Sequence, residues 1–156
     1  MAIGCAGFGL LILAGAVFFF IQAKKNISPS ATEERMKKIM GNISRIGPEN
    51  EVFEKLEQIS PKTVGTMEMR ISDEVFAGLS EKDPDCVFVH PAGDVVRAGI
   101  ATDGKKRKPK YTLYIHRQQD GKVIKCGTEG SYDDIRDVLD EMEKANPKMD
   151  LVKYPG

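Results

Sequence analysis

No lysine, arginine, aspartate or glutamate occurs before Lys24; all 23 basic and 23 acidic residues lie from there onward. The missing positive charge ahead of the first apolar run argues against a secretory signal peptide, which opens with a basic region and has a shorter apolar stretch. Cysteine is scarce. Of the three in the chain, only Cys86 and Cys126 lie outside the opening segment, too few and too far apart for a disulfide framework. Histidine is scarcer still, with His90 and His116 alone. The chain has no P-loop, H-E-x-x-H, C-x-x-C or EF-hand loop, so no cofactor or metal is expected. It also lacks the aromatic-rich basic surface of a nucleic-acid-binding fold, so no nucleic-acid partner is expected.

What stands in the charge-free stretch is "AIGCAGFGLLILAGAVFFFIQA", Ala2 to Ala23. As a helix it would reach roughly 33 Å, against a hydrocarbon core of about 30 Å. The segment therefore reads as a membrane anchor over residues 1–25. Ala2 with Ala6 and Cys5 with Gly9 form small-xxx-small pairs that would let a partner helix approach closely in lipid. Lys24 and Lys25 close the span, with Arg35, Lys37 and Lys38 beyond, so the positive-inside tendency places the following domain in the cytoplasm.

Residues 26–60 read as a juxtamembrane helical segment. Met36, Ile39, Met40 and Ile43 draw one apolar stripe up to about Ile46, and Gly47-Pro48 stops it. A second short helix from Glu49 to Ile59 presents Val52, Phe53, Leu56 and Ile59. Core packing of these stripes is expected, with a bilayer-surface helix as the alternative for the first.

Residues 61–156 read as an α+β domain. "TVGTMEMRIS" alternates as one strand, and "DEVFAGLS" reads as a short helix capped by Ser72. Two hairpins come next, "CVFVH" and "DVVRAGIA" around "PAGD", then "YTLYIH" and "KVIKCG" around "QQDG". A last helix is capped by Ser131, carries Ile135, Val138, Leu139 and Met142, and ends at Asn146-Pro147; "MDLVKY" can add an edge strand. The expected fold class is α+β: one N-terminal transmembrane helix, then a small domain of mostly antiparallel sheet packed by helices.

Two groups of residues invite a functional reading. Lys105, Lys106, Arg107, Lys108 and Lys110 form the most concentrated charge in the chain, suited to an acidic partner or lipid headgroups. Cys86, His90, His116 and Asp94 are the residues for an enzymatic alternative with an unrecognised polar cleft. A zinc site from the two cysteines and two histidines is awkward, because an Asp120-Gly121 turn pairs His116 with Lys125 and sends His116 and Cys126 to opposite faces.

The stretch "YTLYIHRQQDGKVIKCGTEGSYDDIRDVLDEMEKANPKMDLVKY" faintly resembles the strand–strand–helix–strand half of ExbD/TolR-type domains, which also follow a single anchor. The opening span has no acidic residue of the kind those proton-driven motors use, so membership is not assigned. The functional expectation is a single-pass membrane protein whose small domain works by binding, as an accessory or interaction subunit of a larger membrane complex. A membrane-tethered enzyme is the alternative.

Overall fold

The computed structural model describes residues 29–80 and 83–155. The anchor expected over residues 1–25, with Ala2, Cys5, Ala6 and Gly9, lies outside the described residues. Among the described residues, no helix is long and apolar enough to cross a membrane.

The chain runs α1 (Pro29–Ile46), α2 (Glu49–Gln58), β1 (Lys62–Val64), β2 (Met67–Ile71), β3 (Val75–Ser80), β4 (Phe88–Pro91), β5 (Val95–Thr102), β6 (Tyr111–Gln119), β7 (Lys122–Gly130), α3 (Tyr132–Ala145) and β8 (Asp150–Val152). The strands form two four-stranded sheets, ordered β1-β2-β3-β4 and β7-β6-β5-β8. Every pairing is antiparallel except β5 with β8, which run parallel after α3 carries the chain from β7 back to that edge. The fold is therefore a small α+β domain, but with two sheets where the sequence pattern suggests a single one.

Three local expectations are corrected, each for a physical reason. "TVGTMEMRIS" is not one strand: Gly65 takes φ +58 and turns the chain, so that β1 pairs with β2 from Lys62↔Met69 to Val64↔Met67. "DEVFAGLS" is a strand, not a helix. Ser72 does cap a turn, its Oγ accepting from the N–H groups of Glu74 (3.3 Å) and Val75 (3.1 Å), but the chain then enters β3, which is buried on both faces and so carries no clean alternation. "PAGD" is not a hairpin turn. Ala92–Asp94 forms a single 3-10 turn that passes the chain from one sheet to the other.

Elsewhere the local pattern holds. Asp120 and Gly121 adopt φ 53 and 76, the mirror-image turn suited to a twisted two-residue hairpin. The resulting register pairs Ile115 with Cys126 and His116 with Lys125. Ser131 caps α3, accepting from the Asp134 N–H at 3.1 Å, and Ile135, Val138, Leu139 and Met142 are fully buried.

The core has two compartments, one on each face of the first sheet. Met67, Met69, Phe76 and Phe88 face the second sheet and α3. Val75, Ala77, Val87 and Val89 face the other way, onto Ile39 and Ile43 of α1 and Val52, Phe53 and Leu56 of α2. The stripe of α1 is thus packed on protein, as expected. Lys55 also pairs with Glu74 across this junction.

Candidate functional site

Helix α1 runs beside β4, an edge strand of its sheet, and reaches the tip of the β6–β7 hairpin. Polar contacts mark the line: Arg35 to Asp85 (3.4 Å), Lys38 to Asp120 (3.7 Å), Asn42 to Gln119 (2.8 Å) and Arg45 to Asp94 (2.5 Å). Between these elements lies a cleft of about 290 Å³, lined by Arg35, Lys38 and Asn42 from α1, Phe88 and His90 from β4, and Arg117 and Gln119 from β6.

One side of the cleft is fully bonded. His90 is buried; its Nδ1 donates to Asp94 Oδ2 at 3.0 Å and its Nε2 accepts from Asn42 Nδ2 at 3.5 Å. Asn42 Oδ1 in turn accepts from Arg45 (2.8 Å) and from Gln119 Nε2 (3.3 Å). Burial pushes His90 below its ordinary value, against the opposing pull of Asp94, so the ring is held neutral. Burial alone would raise Asp94, but hydrogen bonds from Arg45 and His90 outweigh it and hold the carboxyl below the usual range.

This arrangement gives a pH signature. Because His90 titrates below its unfolded value of 6.5, the unfolded chain binds more protons than the native one between the two values. Stability is therefore full above about pH 6.5 and falls with acid below it. Asp94 adds a second loss only as the pH drops below its unfolded value of 3.8. Thermal melts of wild type should show Tm declining from pH 7 to pH 5, and His90→Gln should flatten most of that slope. An equal slope in both proteins would show that the decline has another source.

The other side of the cleft is not bonded. Arg117 is only 5 % exposed, and its Nε and Nη1 are buried with no hydrogen-bond partner. Its guanidinium lies over the Phe88 ring, 4.6 Å from the centroid, and burial lowers its pKa. Asp85, whose charge also acts on Arg117, is already engaged by Arg35. Buried donors are nearly always satisfied, and a guanidinium fork suits an oxyanion. The cleft can thus receive an anionic group.

The residues singled out from sequence fall in different places. His90 and Asp94 meet at the cleft. His116 does not: it lies on the outer face of the second sheet beside Tyr114, with ring centroids 5.5 Å apart, where burial first and then Lys125 and Arg97 lower its pKa. Cys86 sits in a 3-10 turn ahead of β4 and not in the strand. Its free thiol contacts Asp83 Oδ2 at 3.8 Å and the Gly127 carbonyl at 3.7 Å, and the neighbouring Cys126 thiol, then burial, push its pKa up, the opposite of an activated nucleophile. Among the described residues no three His, Cys, Asp or Glu side chains are placed to hold a metal.

The basic run lies far from the cleft. Lys105, Lys106, Arg107, Lys108 and Lys110 are all exposed in the β5–β6 loop, at the opposite end of its sheet from Gln119. Asp103 Oδ1 ties the loop by accepting from the N–H groups of Lys105 (3.1 Å) and Lys110 (3.2 Å). Asn42, Arg117 and Gln119 were not singled out from sequence. Arg117 had a signal, since strand alternation puts it on the face of Leu113 and Ile115; Asn42 and Gln119 had none, being joined only by the fold. No protein-family model matches this chain, and no curated protein or solved structure is detectably similar to it.

Proposed function

We propose that the chain is a single-pass membrane-anchored accessory or interaction subunit, and that its α+β domain works by binding within a larger membrane complex. The observation that carries this reading is the cleft beside α1, where Arg117 holds buried donors without partners next to a rigid, bonded wall of His90, Asn42 and Gln119. A preorganised wall beside an unsatisfied fork favours recognition. The charge-free opening segment, followed by Lys24 and Lys25, supports an anchor with the domain on the cytoplasmic side. The exposed Lys105 to Lys110 loop supplies a second contact, toward an acidic partner surface or anionic headgroups.

Affinity purification of the full-length chain in mild detergent, with mass spectrometry of its companions and of its own intact mass, tests the reading. An uncleaved chain with a defined set of membrane subunits supports it; a mass short by the opening segment, or an uncleaved chain arriving alone, counts against it. Replacing the five loop cations with glutamine should leave Tm nearly unchanged, since exposed substitutions cost within about 0.5 kcal/mol. The same variant should lose subunits or binding to anionic vesicles. Retention of both would remove the loop from the interface.

A second reading, a membrane-tethered enzyme, is favoured by the Asp94–His90 pair, in which a carboxylate orients a neutral imidazole toward the cleft. It requires that His90 Nε2 exchange its contact with Asn42 for one with substrate. Loss of a turnover activity in a folded His90→Gln protein would favour it.

A further inference from the structure

We infer that the cleft is a carboxylate-binding site, with Arg117 as its anchor and a small monocarboxylate with an apolar body as its ligand. This inference rests on the reading of the domain as a binding module and names what it binds. Arg117 is almost wholly removed from solvent, and two of its guanidinium nitrogens lack partners. In the absence of an anion this arrangement opposes folding, because a buried charge with unmet donors costs more than its stacking on Phe88 returns. A bound oxyanion supplies the missing acceptors.

Charge and shape narrow the anion. Arg35 is paired with Asp85, and Lys38 with Glu34 and Asp120, while His90 is held neutral and Arg117 has no carboxylate partner. One positive charge is left over, which matches a carboxylate better than a doubly charged phosphate. Ile39, Val87, Phe88 and Ile124 supply apolar wall, so the body that carries the carboxylate is apolar. A volume of about 290 Å³ lies at the lower edge of the range for small-ligand sites, suited to a ligand of about amino-acid size. A free acid and the C-terminal residue of a peptide share this chemistry.

The test uses the full chain in mild detergent, with titration calorimetry and thermal melts. The probes are 4-methylpentanoate, its neutral amide, inorganic phosphate, and a leucine-ended peptide with a free or an amidated C-terminus. Saturable binding of 4-methylpentanoate is expected, with the amide and phosphate at least tenfold weaker. Charge-assisted hydrogen bonds of this kind are worth roughly ten- to a hundredfold in affinity, and Arg117→Met should lose that factor. Unliganded Arg117→Met should also melt higher than wild type, by about 4 °C or more. Arg117→Lys, which keeps the charge but not the fork, should lose about tenfold while remaining folded.

Binding of the free acid alone assigns a metabolite-sized ligand; tighter binding of the peptide, lost on amidation, assigns a chain terminus; both uphold the site. Equal binding of the amide, preference for phosphate, or unchanged affinity in the Arg117 variants overturns it. So does a lower Tm in Arg117→Met with affinity retained in Arg117→Lys, which would make the guanidinium purely structural. Absence of any saturable response also overturns the inference, while leaving the co-purification outcome to judge the accessory-subunit reading separately.

Discussion

Gly65→Ala should destabilise the domain by about 3 kcal/mol or more, lowering Tm by roughly 10 °C or more. Two effects combine. Gly65 sits at φ +58, where an L side chain costs about 1–2 kcal/mol. A Cβ there would also lie 2.1 Å from the Glu129 carbonyl oxygen, and that atom is backbone in β7, so no side chain can swing aside. The alanine must push apart the corner where the β1–β2 turn meets β7, one of the contacts between the two sheets. Gly121→Ala separates the two effects. Gly121 has φ +76 but nothing within 4 Å of a Cβ, so its replacement should cost only about 1 kcal/mol. Urea or thermal unfolding of both variants checks the difference, and equal losses would show that the clash at Glu129 relaxes freely.

Phe76→Ala should cost about 3–5 kcal/mol, the range for truncating a fully buried phenylalanine. Phe76 is 0 % exposed, stands in β3 opposite His90, and belongs to the compartment between the two sheets. Its chain neighbours Val75 and Ala77 belong to the compartment under α1 and α2. The truncation therefore leaves a cavity in one compartment only, and α1, which lines the cleft, keeps its footing on the other. Because Phe76 stands beside His90 across the ladder, a folded Phe76→Ala protein should also show a weaker His90 pH signature, as water entering the gap relieves the burial that lowers its pKa. Val123→Ala, at a residue 49 % exposed, should change stability by no more than about 0.5 kcal/mol. A loss near that small value for Phe76 would mean that the core collapses around the gap.

The same residue shows why part of the fold was hidden in the sequence. In "DEVFAGLS", Val75, Phe76 and Leu79 fit one face of a helix, and Ser72 fits a helix cap. A strand covered on both faces gives no period-two signal, because every position is apolar or small. Ser72 marked a real turn, yet whether a helix or a strand comes after such a turn depends on the strands waiting on either side. In "TVGTMEMRIS" the alternation of β2 masked the turn at Gly65, whose positive φ belongs to the β1–β2 turn and whose close approach to β7 only the tertiary structure shows. "PAGD" carried a good turn signal, but whether its flanking strands pair with each other or with β3 and β6 is decided by competing partners elsewhere in the chain.

What the sequence determined by itself is what short-range physics determines. The stripes of α1 and α2, the Ser131 cap and apolar face of α3, the Asp120-Gly121 turn with the β6–β7 register, and the uncharged opening stretch each rest on residues within a few positions of one another. The tertiary structure decided the division into two sheets and the composition of the cleft. Asn42, His90 and Gln119 meet across 48 and 77 residues of sequence separation, and no local pattern encodes such a meeting. Strand alternation alone puts Arg117 on the inner face with Leu113 and Ile115, but only the tertiary packing, with Phe88 of β4 against its guanidinium, leaves its Nε and Nη1 buried without partners.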